Sequence, residues 1–176
     1  TSFINGILSD GFAMEDHTLL LQCEEGEVEY EKKLLHNVTV LTVDDQDALT
    51  PEFLEAERKK CKASQIIVEY NGMWQIQDFY VNSMPPSWVL YQIIATVEGP
   101  TFETYTRNMA SLMSEKLRNA DMICINRCTD ALCTSLRQRN LRLLNRRADI
   151  YLEKEDGQSE DYMDGTVSAF DLDQPV

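Results

Sequence analysis

The fold is indicated most clearly by the run Gln65-Ile66-Ile67-Val68-Glu69-Tyr70-Asn71-Gly72. Its apolar part is β-branched, and a carboxylate, an amide and a glycine follow directly. A short apolar run that ends in turn-forming residues is typical of a strand whose two faces are both covered. We therefore predict a buried strand of a mostly parallel sheet, with polar side chains at its carboxyl end.

Outward from this strand, apolar runs alternate with helical patterns. Further strands are predicted at Leu19–Cys23, Val38–Val43, Trp88–Val97, Met122–Ile125 and Asp149–Leu152. Helices are predicted at Thr50–Lys62, Thr101–Asn119 and Asp130–Asn145, and the stretch Gly72–Pro86 is predicted as a loop with a short helix. Alternating strands and helices are typical of βαβ units. The predicted fold class is α/β, a three-layer sandwich around a mostly parallel sheet.

The two later helices each show an apolar stripe. The first stripe consists of Phe102, Tyr105, Met109, Leu112, Met113, Leu117 and Ala120, and the second of Leu132, Leu136, Leu143 and Leu144. Residues at this spacing share one helix face. We interpret both stripes as core packing and not as a ligand site.

Composition limits the classes of function. The chain has 176 residues, which suits one domain, and a net charge of −14, which disfavours nucleic acid as a partner. No apolar run approaches the roughly 18 residues of a membrane span, and no signal peptide is visible. The 5 cysteines form no Cys-x-x-Cys pair, and an odd number of cysteines suits a reducing compartment. We therefore predict a cytoplasmic protein without a membrane partner.

Candidate site residues follow from the predicted topology. Ligands of open α/β sheets bind outside the carboxyl ends of the strands. The polar residues that follow the predicted strands are Glu24 and Glu27 after the first strand, Glu69, Asn71 and Gly72 after the third, and Asn126, Arg127 and Asp130 after the fifth. We expect these groups to lie at one edge of the sheet.

Several of these segments, in this order, resemble motifs of the CobW-type P-loop GTPases, a group that includes HypB and UreG. The first, Thr1 to Leu8, is similar to the helix that follows the phosphate-binding loop. The others are Cys23-Glu24-Glu25-Gly26-Glu27-Val28 (switch), Ile66 to Gly72 (Walker B), Ala120 to Arg127 (base recognition) and Asn145, Ala148 and Ile150 before the last strand. The resemblance implies a CobW-like nucleotide-binding domain over residues 1–152, followed by an acidic tail over 153–176 that we expect to be flexible.

The resemblance also implies a role for each group. Thr1 and Ser2 would open the helix that faces the phosphates, and Thr1 would bind Mg²⁺. Glu69 would be the catalytic carboxylate and would hold or polarise the metal-bound water. Glu24, Glu27 and Gly72 would belong to a nucleotide-sensing switch. Asn126, Arg127 and Asp130 would form the base pocket. Mg²⁺ with GTP is the implied cofactor and ligand.

This sequence departs from the family pattern in three ways. The Gly-Lys phosphate loop is not in the chain, so either it precedes Thr1 in the protein or the protein lacks it, and we predict inefficient GTP hydrolysis by the chain as written. Arg127 replaces a lysine, and Thr129 stands where an aspartate is expected, with Asp130 one place later. The family's Gly-Cys-x-Cys-Cys metal loop is missing, and we predict no zinc–thiolate site because Asp44-Asp45-Gln46-Asp47 stands nearby instead.

Three hypotheses remain from the sequence. The first is a GTP-binding and GTP-hydrolysing switch, related to metal-cofactor assembly GTPases and acting on an unidentified protein partner, with homodimerisation implied by the resemblance. The second is a non-catalytic protein-interaction module on the same fold. The third is an ATP-dependent relative, because the altered base motif could relax the selectivity for guanine.

Overall fold

The computed structural model describes residues 1–24, 28–138, 141–154 and 159–162. The chain divides into two compact units, Thr1–Val89 and Leu90–Val176. Each unit contains a mostly parallel sheet with helices packed on it, so the predicted α/β class is confirmed. None of the helices in the described ranges is long and apolar enough to cross a membrane.

The first unit begins with a helix and carries strands of five residues. Its elements are α1 (Ser2–Ser9), β1 (Thr18–Gln22), β2 (Val38–Thr42), α2 (Pro51–Cys61), β3 (Gln65–Glu69) and α3 (Ile76–Asp78), which continues as a π-helical turn over Phe79–Ser83. Short 3₁₀ turns lie at Lys32–Leu34 and Gln46–Ala48. The short helical segment predicted between Gly72 and Pro86 is therefore present.

In the sheet of this unit, β1 lies between β2 and β3, and all pairs are parallel. Leu19, Leu20 and Leu21 of β1 are fully buried, as expected for a strand that is covered on both faces. Because Gln22 pairs with Glu69, the carboxyl ends of β1 and β3 finish level with each other. The polar residues that follow these strands are thereby brought to one edge.

Helix α2 begins and ends as its sequence predicts. The Thr50 hydroxyl accepts a hydrogen bond from the Phe53 amide at 3.2 Å, and Pro51 occupies the first turn. The helix ends at Lys62, whose φ of 57° places it in the left-handed region. Leu54 faces the core and is fully buried.

The second unit continues the alternation of strands and helices. Its elements are β4 (Ile94–Glu98), α4 (Gly99–Asn108), α5 (Ala110–Asn119), β5 (Met122–Cys128), α6 (Asp130–Gln138), a 3₁₀ turn (Leu141–Leu143), β6 (Asp149–Lys154) and β7 (Ser159–Asp161). The order of the strands in the sheet is β4-β5-β6-β7, and the last pair is antiparallel. Strand β7 lies within the segment predicted as an acidic tail, and most of the residues of that segment lie outside the described ranges.

Three sequence predictions about this unit were wrong in detail. The helix predicted over Thr101–Asn119 is broken at Met109, whose φ of −132° and ψ of 44° are not helical. Tyr105 was predicted to be a core residue but is 45% exposed. It lies on α4, and the break at Met109 separates it from the part of the apolar stripe that lies on α5. Leu143 is 74% exposed, because it does not belong to α6 (Asp130–Gln138) but to a separate 3₁₀ turn.

The strand predicted from Trp88 begins at Ile94 instead. Trp88 belongs to the first unit, where its indole N–H donates to the Glu55 carboxylate at 2.9 Å. A buried or half-buried indole normally finds such a partner, and this contact ties the end of the first unit to α2.

Candidate functional site

In the first unit, the start of α1 meets the end of β3. The Thr1 hydroxyl donates to Glu69 Oε1 at 2.8 Å, and the Thr1 backbone nitrogen donates to the same oxygen. The side chains are 5% and 14% exposed, respectively. Threonine commonly caps a helix with its hydroxyl, but among the described residues this hydroxyl is directed to Glu69 and does not cap α1. The two residues predicted to bind Mg²⁺ therefore lie in direct contact.

The second oxygen of the same carboxylate has a partner that the sequence did not reveal. The Tyr30 hydroxyl donates to Glu69 Oε2. Burial of the phenol, followed by its hydrogen bond to Glu69, raises the pKa of Tyr30 above its usual range. A phenol is already protonated at neutral pH, and the raised pKa keeps Tyr30 a donor at more alkaline pH as well. A tyrosine in an irregular segment gives no periodic signal, so sequence reasoning had no means to select it.

The predicted switch residues Glu24 and Gly72 also contact each other. The Glu24 carboxylate accepts a hydrogen bond from the Gly72 amide at 2.9 Å. Beside them, the Asn71 side-chain amide donates to the Cys23 carbonyl at 3.3 Å. These bonds connect the segments that follow β1 and β3. The third predicted switch residue, Glu27, lies outside the described residues.

Cys23 is buried where the first strand ends. Its backbone N–H donates to the Glu69 carbonyl at 2.9 Å. Burial, and then the negative charges of Glu69 and Asp44, raises the pKa of the Cys23 thiol to about 11. The thiol is therefore protonated at neutral pH and is a poor metal ligand or nucleophile in this state.

In the second unit, a β-bulge shapes the end of β5. Ile125 pairs with Leu152 and Cys128 pairs with Lys154, so β5 advances three residues while β6 advances two. Arg127 within this bulge has a φ of 50°, in the left-handed region. Bulges with one residue in that region re-aim the side chains that follow. The bulge lies directly before Thr129 and Asp130, the residues at which this sequence departs from the family pattern.

The charged side chains of this region are paired. Arg127 binds the Glu98 carboxylate at the end of β4, and Thr101 donates to the other oxygen of Glu98 at 2.9 Å. Asp130 lies 3.0 Å from the Lys154 ammonium and is 90% exposed. Glu98 and Lys154 were not selected from the sequence.

Asn126 lies near the end of β5 and is paired in the strand register with Glu98, the last residue of β4. Its Oδ1 atom is buried and has no hydrogen-bond partner in the described part of the chain. Buried polar atoms are normally bonded, so this acceptor marks a position where a further donor would fit. Strand β5 runs on to Cys128, beyond the predicted end at Ile125, so Asn126 and Arg127 lie within the strand and only Asp130, the first residue of α6, follows it. Arg127 and Asp130 have protein partners.

Ser2 is exposed in the first turn of α1, on the element that carries Thr1. Asn145 has a structural role. Its amide nitrogen donates to the carbonyls of Leu117 at 2.9 Å and Ala120 at 2.7 Å, and its Oδ1 accepts from the Ala148 amide at 2.9 Å. These hydrogen bonds of Asn145 fix the backbone just before β6.

The geometry can be compared with solved structures. The chain matches the crystal structure of the Zn(II)-bound YjiA GTPase from E. coli, with a TM-score of 0.54 and 20% identity, over 84% of this chain and 53% of that one. The fold is P-loop NTPase-like. This confirms the predicted fold, and the chain spans about half the length of that structure.

At the level of sequence, no protein-family model matches this chain. The curated proteins likewise give no match. The resemblance to the CobW, HypB and UreG group and the role of each site residue therefore stay predictions.

Proposed function

We propose that this protein is a nucleotide-binding switch that binds GTP together with Mg²⁺. The observation that carries the proposal is the contact between the Thr1 hydroxyl and the Glu69 carboxylate at 2.8 Å. The predicted P-loop motifs place a threonine and a strand-end carboxylate at the metal, and the fold supports that assignment. Hydroxyl and carboxylate oxygens are hard ligands that suit Mg²⁺, so the donor set fits the ion.

The proposed chemistry depends on positioning and electrostatics. When bound, Mg²⁺ neutralises negative charge on the phosphate oxygens. Helix α1 presents its positive end to a phosphate, because the first amides of a helix have no intrahelical partner. Glu69 would hold or polarise the metal-bound water, and the Thr1 hydroxyl holds Oε1 of Glu69 at 2.8 Å.

Taking the second unit by itself, we propose that Asp130 can accept hydrogen bonds from a guanine base, as the resemblance implies. A carboxylate there accepts hydrogen bonds from the N1 and N2 donors of guanine. The bulge at Arg127 lies three residues before Asp130, and a bulge re-aims the side chains beside it. Guanine would then have to displace Lys154, whose ammonium lies 3.0 Å from the Asp130 carboxylate.

The test is a titration of the full-length protein with fluorescently labelled GTP, with and without Mg²⁺. Glu69→Gln and Thr1→Ala are expected to weaken the Mg²⁺-dependent part of the affinity by about tenfold or more. Glu52→Gln, an exposed glutamate in α2, is the matched control and is expected to leave the affinity unchanged. If the full-length protein binds neither GTP nor GDP at high micromolar concentrations, the proposal fails. Competition with ATP measures the selectivity for guanine.

A second candidate is a non-catalytic protein-interaction module on the same fold. The observation that favours it is that Arg127 and Asp130, two of the predicted base-pocket side chains, are paired with Glu98 and Lys154. An absence of nucleotide binding together with specific binding of a protein partner by the full-length chain would select this candidate.

A further inference from the structure

Two donors from different parts of the first unit occupy the two oxygens of one carboxylate. Glu69 Oε1 accepts from the Thr1 hydroxyl at 2.8 Å, and Glu69 Oε2 accepts from the Tyr30 hydroxyl. Tyr30 lies 39 residues before Glu69 in the sequence, and Thr1 lies 68 residues before it. The carboxylate is therefore held from both sides by side chains on separate elements.

The backbone on either side of Tyr30 is attached to α1. The Asn5 side chain donates from Nδ2 to the Glu29 carbonyl at 3.1 Å, and its Oδ1 accepts from the Glu31 amide at 3.2 Å. Asn5 itself is 9% exposed on the helix that begins beside Thr1. This reciprocal pair of bonds fixes the Glu29–Glu31 segment against the helix, and the side chain of Tyr30 is directed from there to Glu69.

The ring of Tyr30 is held by apolar contacts as well. It packs against a cluster of buried residues that includes Ile4, Leu20 and Val38. The hydroxyl consequently reaches Glu69 from a ring and a backbone that are both fixed. A contact with this much support lowers the conformational freedom of the carboxylate more than a bond from a flexible surface side chain would.

We propose that Tyr30 is a positioning residue for Glu69: its hydroxyl holds Oε2 and thereby presents Oε1 to Thr1 and to a Mg²⁺ ion. The terminal torsion of a glutamate is broad, so one held oxygen defines the plane of the whole carboxylate. Hydrogen bonds of this kind to a metal-binding carboxylate commonly change metal affinity by 10–100-fold. The inference rests on the proposed function and adds to it a residue that the motifs do not contain.

Tyr30→Phe removes only the hydroxyl and keeps the packing of the ring. In the full-length protein, the concentration of Mg²⁺ that gives half of the maximal affinity for fluorescently labelled GDP is expected to rise by about tenfold. The affinity in EDTA is expected to stay close to the wild-type value, while the melting temperature measured by circular dichroism reports the stability lost with the partner of Oε2. Tyr91→Phe, at a tyrosine that is 95% exposed, is the matched control and should leave all three quantities unchanged.

A second readout needs neither nucleotide nor metal. In protein labelled with 3-fluorotyrosine, the ¹⁹F resonance that is missing from Tyr30→Phe belongs to Tyr30. Glu69→Gln is expected to shift that resonance, whereas Glu52→Gln should leave it in place. A Tyr30 resonance that is indifferent to Glu69→Gln would show that the contact does not exist in solution and would overturn the inference.

The outcomes separate the inference from the proposed function. If the wild-type protein binds Mg²⁺ and GDP and Tyr30→Phe needs the same Mg²⁺ concentration, the positioning role is wrong and the proposed function stands. If the wild-type protein binds no nucleotide, the proposed function fails, and the positioning role fails with it even where the fluorine spectrum reports the contact. A raised Mg²⁺ requirement together with the shifted resonance supports both.

Discussion

The hydroxyl of Thr1 donates a 2.8 Å hydrogen bond to the carboxylate of Glu69, across 68 residues of sequence. The contact exists because β3 runs parallel to β1 and ends level with it, while α1 begins at the same edge of the sheet. Neither side chain reaches far, so the bond requires the helix start and the strand end to lie within a few ångströms. A small parallel sheet therefore converts two unrelated sequence positions into one oxygen-rich site.

The carboxylate of Glu55 gives a prediction on the pH dependence of stability. Hydrogen bonds from Arg58 and from the Trp88 indole lower the pKa of Glu55 from 4.5 to about 2. Since the pKa is lower in the folded state, the stabilisation is fully present above the unfolded value of about 4.5 and is lost as pH falls toward 2. Glu55→Gln should therefore melt at a lower temperature than wild type at neutral pH, and the difference should narrow below about pH 4.5.

Thermal melts at a series of pH values check this prediction. Glu57→Gln is the control on the same helix, because its partner Lys60, at 3.3 Å, is 75% exposed and the ion pair should contribute little. A difference in melting temperature between wild type and Glu55→Gln that stays constant from neutral pH down to pH 2 would contradict the prediction.

The strands could be predicted from the sequence because they are short apolar runs with polar ends, as at Leu19–Leu21 and Ile66–Val68. The strand boundaries in the second unit were harder. The Trp88 region is apolar and aromatic, but Trp88 lies outside the strand. Its indole N–H donates a hydrogen bond to Glu55 of α2 instead. The break at Met109 was not visible because methionine fits a helix well, and only its backbone angles in the folded chain reveal it.

The site could be predicted only in part. Glu69 and Asn126 were selected because parallel sheets place strand ends at ligand sites. Tyr30 was not, because its position depends on the Asn5 bonds to Glu29 and Glu31, and no spacing rule connects a helix amide to a distant irregular segment. The bulge at Arg127 could not be predicted from the sequence either, because it depends on the register between β5 and β6.

Asn145 is predicted to be a stability determinant. It is 8% exposed and bonds the Leu117 and Ala120 carbonyls and the Ala148 amide. Asn145→Ala leaves several buried polar groups without partners, which should lower the free energy of unfolding by about 3 kcal/mol. Urea denaturation measures this loss. Asn108→Ala, at an exposed residue of α4, should stay within about 0.5 kcal/mol of wild type.

The cysteines are predicted to differ in reactivity. Burial raises the pKa of Cys23 to about 11 and that of Cys128 to about 12, and it also raises the pKa of Cys124. Each pKa unit above pH lowers the thiolate fraction tenfold, so these thiols should react slowly. Cys61 is only partly buried on α2 and should be alkylated first by iodoacetamide in the folded protein.

Mass spectrometry of the digested protein over time measures this order. Cys61→Ser should remove the fast phase and leave the slow ones unchanged. Rapid modification of Cys23 or Cys128 in the folded protein would contradict the predicted order and would also reopen the question of a thiolate metal site.

Gly99 at the start of α4 is predicted to tolerate no side chain. A Cβ atom there would lie 2.7 Å from the Asn126 carbonyl oxygen, 2.8 Å from Leu132 Cδ2 and 3.3 Å from the Arg127 carbonyl oxygen. Two of these atoms belong to the backbone of the bulge, so relief requires a shift of β5 itself. Gly99→Ala should therefore lower the free energy of unfolding by about 1–3 kcal/mol. Each kcal/mol lost corresponds to a decrease of about 2–4 °C in the melting temperature.

The matched substitution is Gly6→Ala. A Cβ atom at Gly6 meets no described atom within 4 Å, and the residue lies inside α1, where alanine is favoured over glycine by about 1 kcal/mol. The two alanine variants should thus move the melting temperature in opposite directions. Because Gly99 contacts the carbonyls of Asn126 and Arg127, its variant should also disturb the predicted base pocket. If Gly99→Ala is as stable as wild type, the end of β5 can move away without cost. The prediction that the bulge packs tightly against α4 would then be wrong.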